Sequence, residues 1–137
     1  MILGIGTDLI DARRVEKLIE KEGQGFSKKF FAPSEQLMAD QRTHPDRRAL
    51  FFASRFAAKE ACAKALGTGI QGGVNFQDIV IHKDDLGKPW IELQGGAKER
   101  LEQMIGQSKK PQLMPRIDLS LSDEYPFCIA FVIISME

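Results

Sequence analysis

A disulfide framework is the first thing this chain lacks. It holds only two cysteines, Cys62 and Cys128, in 137 residues, too few for a disulfide framework. Both stand among apolar neighbours and read as small core residues. No Cys/His spacing suits zinc. Histidine is equally scarce: His44 falls in a polar loop and His82 in a predicted strand, and both read as solvent-facing. No Ser-His-acid arrangement follows from so few. Excess charge of either sign is also missing, since 19 basic and 19 acidic residues cancel. A balanced chain is a poor general binder of nucleic acid, whose affinity rests on neutralising phosphates. No run of 18 apolar residues exists, so no membrane span is expected. The start, MILGIGTDLIDARR, has no charged segment ahead of its apolar run and is broken by Asp8. It does not read as a signal peptide, and a reducing cytoplasm is the expected location.

What is present is an ordinary globular composition, 43% hydrophobic and 28% charged, in a chain that fits one domain over residues 1–137. Residues 2–6 are a short apolar run bounded by glycine and predict a buried strand. A helix follows to about Glu22, with Val15, Leu18 and Ile19 at helical spacing, ended by Gly23 and Gly25. Ser34, after Pro33, suits the N-cap of a short helix through Asp40. DQRTHPDRR reads as a loop. The strongest helix signal covers residues 47–66, rich in alanine and stopped at Gly67. Residues 78–83 and PWIELQ predict a hairpin around the turn DDLGKP. Residues 96–107 read as an amphipathic helix. Residues 116–121 alternate as a strand, and the β-branched run 127–135 reads as a central strand. Without a steady βαβ rhythm the class is α+β.

Four features can carry chemistry. Asp8 lies beside a rigid strand, which suits a functional carboxylate; it equally suits a helix cap, a role open to Asp11. Glu60 and Lys64 are four apart on one helix face, among alanines that let another group approach closely; a surface ion pair is the simpler reading. Gly67-Thr68-Gly69 could offer backbone N–H groups to phosphate or merely cap the helix, and no Lys-Ser/Thr follows to make it a P-loop. Asp85-Leu86-Gly87-Lys88-Pro89 is a good turn sequence.

Taken in order, GIGTDLIDARR (4–14), RFAAKEACAKALGTGI (55–70), FQDIVI (76–81), GKP (87–89) and SLSDEYPFCIAFVII (120–134) resemble holo-[acyl-carrier-protein] synthase, the bacterial short-chain class of 4′-phosphopantetheinyl transferase. The resemblance implies that family's fold, a mostly antiparallel sheet packed against a long central helix. It implies transfer of the 4′-phosphopantetheine arm of coenzyme A to a serine of acyl carrier protein, in support of fatty acid biosynthesis, with adenosine 3′,5′-bisphosphate as by-product. Asp8 and Glu60 would bind Mg²⁺, and Lys64 would sit at the phosphates. That set suits the metal, which is usually held by one or two carboxylates plus phosphate oxygens and waters. Glu60, or a water on the metal, is the candidate base. By the same resemblance Gly87 and Pro89 lie beside the adenine, Ser120 lines the cleft, and Arg47, Arg48 and Arg55 are partners for the 3′-phosphate. The carrier is acidic, so Arg14 and Lys28 are expected to meet it, with Phe26 adding an apolar contact. A homotrimer with its active sites at subunit boundaries is implied too.

The sequence departs from many relatives at one place. Asp118 and Asp123 stand where a His-Val-Ser-Ile-Ser-His pattern is common, so no role of those histidines carries over. Two other classes fit the same residues: a different Mg²⁺-dependent nucleotide enzyme, and a module that binds the carrier or coenzyme A without turnover.

Overall fold

The structure, a computed structural model, describes residues 1–137. Its centre is α4 (Pro45–Ala65), a helix of 21 residues. Alanines at 49, 53, 57, 58, 61, 63 and 65 are buried along it, so neighbouring backbones approach on several sides. Against it lies a three-stranded sheet in the order β1 (Ile2–Asp11), β5 (Phe127–Met136), β4 (Pro115–Glu124). Both pairings are antiparallel, and β5 is the central strand. Its inward residues Cys128, Ala130, Val132 and Ile134 are buried in the core cluster. A separate hairpin pairs β2 (Ile79–Lys83) with β3 (Pro89–Leu93). Helices α1 (Ala12–Glu22), α2 (Gln24–Phe30), α3 (Pro33–Asp40) and α5 (Gly95–Ser108) complete the fold. This is the expected α+β arrangement of antiparallel strands on a long helix.

Local chemistry sets the boundaries, in places against expectation. The first strand runs to Asp11 rather than Gly6 because Asp8 pairs in register with Ala130 and Asp11 with Phe127. Ser34 does not cap α3. Ala32 holds that place, Pro33 opens the helix, and Glu35 Oε1 accepts the Ala32 N–H at 3.0 Å. α4 starts two residues early, because Pro45 suits a first turn and His44 Nδ1 accepts the Asp46 N–H. His82 is half-buried, stacked on Trp90 at 4.4 Å and 3.1 Å from Glu92. The segment before Pro33, where no helix was expected, forms α2.

Two features lock the layers. Gly4 and Gly6 face α4 so closely that an added Cβ would lie 1.9 Å from the Ala65 and Ala61 carbonyl oxygens respectively. Beside the hairpin, Lys59 is fully buried and donates to Glu35 Oε1 at 2.6 Å, Phe76 O at 2.9 Å and Ile79 O at 2.7 Å. All three ammonium protons are satisfied, as a buried charge requires. One side chain thereby ties α4 to α3, to the 3₁₀ turn Phe76–Asp78 and to β2.

Candidate active site

The glycines of β1 create the site. Successive strand residues alternate faces, so Gly4, Gly6 and Asp8 all point toward α4, and the missing side chains at 4 and 6 bring the strand onto the helix. Asp8 then meets the face of α4 that carries Glu60 and Lys64. Lys64 Nζ donates to Thr7 O at 2.9 Å and lies 3.4 Å from Asp8 Oδ1. Asp11, not Asp8, caps α1, accepting the Arg13 N–H at 2.9 Å. The capping role is thus filled three residues downstream, and the Asp8 carboxylate stays open to another partner.

The electrostatics are those of two carboxylates sharing a half-enclosed place. Burial raises the Asp8 carboxyl above its ordinary value, against the opposing pull of Lys64 and Arg14. Burial also raises Glu60, the Asp8 charge adds to this, and Lys64 opposes it. Lys64, with Arg14 on the Asp8 side, only partly offsets the two carboxylates. All available donors are hard oxygens, and no cluster of three metal-ligating side chains exists. Two carboxylates suit Mg²⁺, which completes its shell with water and phosphate oxygens, and give a soft metal nothing to bind.

The glycine loop does not act as a phosphate cradle here. Gly67 N–H donates to Lys64 O and Gly69 N–H to Ala63 O, so these amides cap α4.

The expected coenzyme A residues separate into groups. Arg47 and Arg55 line one cleft of about 390 Å³ with Arg42, Ser54, Lys83 and Asp123. Arg48 is a correction: it pairs with Asp40 at 3.2 Å and lies over Phe52, outside that cleft, because it projects toward α3. Gly87, at φ 83°, and Pro89 shape the β2–β3 turn that follows Lys83. Ser120 pairs with Phe131 on the sheet face turned away from α4, so one chain does not bring it to Asp8 and Glu60. The two aspartates that replace histidines part company as well. Asp118 is on the outer face, 2.8 Å from Arg116, while Asp123 opens into the cleft.

Phe26 is a second correction. It is 1% exposed, held by Phe30, Phe31 and Phe52 at ring distances of 5.2 to 6.1 Å, and offers no surface to a partner. On the neighbouring α1, Leu18 is the exposed apolar residue. Arg13 is engaged by Asp11 at 2.7 Å, whereas Arg14 and Lys28 are exposed side chains.

Sequence reading missed Lys59, Arg42 and Lys83. The signal for Lys59 was its spacing: Phe52, Arg55, Lys59, Cys62 and Leu66 form one helical stripe, and all five are buried. Two cations on an otherwise apolar stripe mark buried charge.

The profile of the 4′-phosphopantetheinyl transferase superfamily matches residues 4–130. The holo-[acyl-carrier-protein] synthase of Azorhizobium caulinodans is 50% identical over 137 residues, covering 100% of this chain and 96% of its own length. The crystal structure of the synthase from Neisseria meningitidis superposes with a TM-score of 0.80 at 39% identity, covering 98% of this chain and 99% of that one. The Helicobacter pylori synthase in complex with coenzyme A has a TM-score of 0.76 at 30% identity, covering 96% and 99%.

Proposed function

The chain belongs to the holo-[acyl-carrier-protein] synthase group of the 4′-phosphopantetheinyl transferase superfamily, and from that premise we propose how its residues divide the work. It is a transferase that moves the 4′-phosphopantetheine group of coenzyme A onto a serine of apo-acyl carrier protein. The observation that carries the residue assignment is the meeting of Asp8 with the Glu60 and Lys64 face of α4.

Asp8 and Glu60 hold Mg²⁺, which when bound neutralises charge on the pyrophosphate of coenzyme A. Lys64, fixed by the Thr7 carbonyl, presents a positive charge to the same phosphates. The carrier's serine oxygen attacks the phosphorus that bears the pantetheine arm. The P–O bond to the second phosphate breaks, and adenosine 3′,5′-bisphosphate leaves. Glu60, one turn before Lys64 on the same face of α4, takes the serine proton. Arg47 and Arg55 receive the 3′-phosphate, with Gly87 and Pro89 beside the adenine. The test is direct: with coenzyme A, Mg²⁺ and apo-carrier, the carrier's mass increases by one phosphopantetheine arm. A carrier of unchanged mass ends this reading, and binding without transfer favours a non-catalytic module.

Arg14 and Lys28 meet the acidic carrier. Arg14→Ala is expected to raise KM for the carrier several-fold at low salt while leaving KM for coenzyme A in place, and the difference shrinks as the Debye length falls to about 8 Å at physiological salt. Equal effects on both substrates would remove Arg14 from the carrier site.

The single domain assembles as a homotrimer. Its outer sheet face exposes Ile5, Leu9, Phe127, Ile129 and Phe131 at 39% to 66%, a contiguous apolar surface of the kind that marks interfaces. Ser120 opens on that face and joins a neighbour's site. Sedimentation should give three times the chain mass, and Phe131→Asp should release monomers. A monomeric wild type would overturn the assembly. The setting is the cytoplasm and the role fatty acid biosynthesis. No helix is long and apolar enough to cross a membrane, and both thiols are free and buried.

A further inference from the structure

The cleft beside α4 holds the least settled charge in the molecule. Arg55 is 1% exposed, yet its Nε and Nη2 have no hydrogen-bond partner. A buried guanidinium left in that state has a large desolvation penalty that an arriving anion relieves. Its group lies 3.7 Å from the Phe51 ring centre, and that of Arg42 lies 4.2 Å from the same centre. Arg42 is held there by donating to Met38 O at 2.7 Å. Arg47 is on the rim, and Lys83 reaches in from the end of β2. Four cationic side chains therefore converge on one cleft; Asp123 is the one carboxylate that lines it, and the buried Glu35, already paired with Lys59, acts on Arg55 from behind.

We infer that Arg42 and Lys83 are specificity-determining residues of the phosphate end of this cleft, and that Asp123 is a counter-charge that limits how tightly the cleft holds a phosphate. The inference rests on the reading that the cleft takes the 3′-phosphate of the donor, and it adds residues that reading does not include. Each cation contributes to telling a 3′-phosphorylated nucleotide from one that lacks the group. Asp123, on the inward side of β4 opposite Cys128, offsets part of the field, so the doubly phosphorylated product can leave after each turnover. The effect of neighbours on Lys83 agrees with this layout. Burial, Arg55 and Arg42 each push its ammonium down, and Asp123 pulls it back up. Arg55 is drawn down to about 10, by burial above all, against the pull of Glu35 and with Arg42 adding; it stays a cation at neutral pH.

The experiment is a calorimetric titration of the full chain with adenosine 3′,5′-bisphosphate and, separately, with adenosine 5′-monophosphate. The wild type should prefer the bisphosphate. Arg42→Met and Lys83→Met, which keep an unbranched apolar stem and remove the charge, should each lower that preference about tenfold, the scale of one charge-assisted contact. Asp123→Asn should raise bisphosphate affinity several-fold and make the product a stronger inhibitor, with KM for coenzyme A lowered and kcat unchanged or lowered by slower product release. A preference that survives both Met variants, or weaker bisphosphate binding in Asp123→Asn, overturns the inference. Transfer activity in a wild type with no such preference overturns it while leaving the proposed function standing. A preference with the expected variant effects in a protein that transfers nothing supports the cleft assignment and removes the proposed reaction instead.

Discussion

Glu60→Gln is expected to lower kcat by roughly 10²–10⁴-fold, the range over which positioned proton transfer acts, while the protein folds as stably as before or slightly more so. The substitution keeps the shape of the side chain and removes its charge. In the folded protein that charge is disfavoured by burial and by Asp8, so neutralising it relieves repulsion. Asp8→Asn should behave alike for the same reason. Residues held at some cost to stability are typical of functional sites. The two substitutions should not multiply: they disable one metal-holding unit, so the double variant should be about as slow as the worse single one. Chelation by EDTA should stop the wild type reversibly. Single-turnover rates by carrier mass, together with urea midpoints, supply both readouts. A Glu60→Gln enzyme at wild-type speed would remove Glu60 as both ligand and base.

Much of this geometry could be read from the chain, and the failures have physical causes. The central strand β5 was legible because an uninterrupted β-branched run suits a strand buried between two partners. α4 was legible from its alanines, and Glu60 with Lys64 from their spacing of four. Asp8 was ambiguous locally, since a carboxylate before a helix reads as a cap. Only the pairing of Asp11 with the Arg13 N–H frees it from that role. Arg47 and Arg48 were indistinguishable in sequence because they are adjacent. A helix turns about 100° per residue, so one faces the cleft and the other Asp40. Phe26 failed for a similar reason: beside basic residues it reads as an exposed anchor, but it closes an aromatic cluster assembled from distant segments. Arg42 and Lys83 could not have been found, because nothing local brings residues 41 apart into one cleft.

Gly6→Ala is expected to be the most damaging single change, although it adds one methyl group. The new Cβ would sit 1.9 Å from Ala61 O and 2.9 Å from Ala65 N. These are helix backbone atoms and cannot rotate away as a side chain would, so strand and helix must separate. Overpacking typically costs 1–3 kcal/mol, and a backbone clash of this depth should reach about 3 kcal/mol or more. Gly4→Ala meets Ala65 O at the same 1.9 Å and should act alike. Gly25→Ala is the control, because nothing lies within 4 Å of it and alanine is about 1 kcal/mol better than glycine inside a helix; stability there should hold or rise. The catalytic consequence follows from where the clash falls. Gly6 is two residues before Asp8 on the same strand face, and Ala61 follows Glu60. Widening this gap draws apart the two carboxylates that must hold one metal ion. Any folded fraction of Gly6→Ala should therefore need more Mg²⁺ for half-maximal rate, even at temperatures where it remains folded. Denaturation midpoints and a Mg²⁺ titration of the transfer rate measure the two effects separately. Wild-type values in both would mean that the close approach of β1 to α4 is not what positions the site.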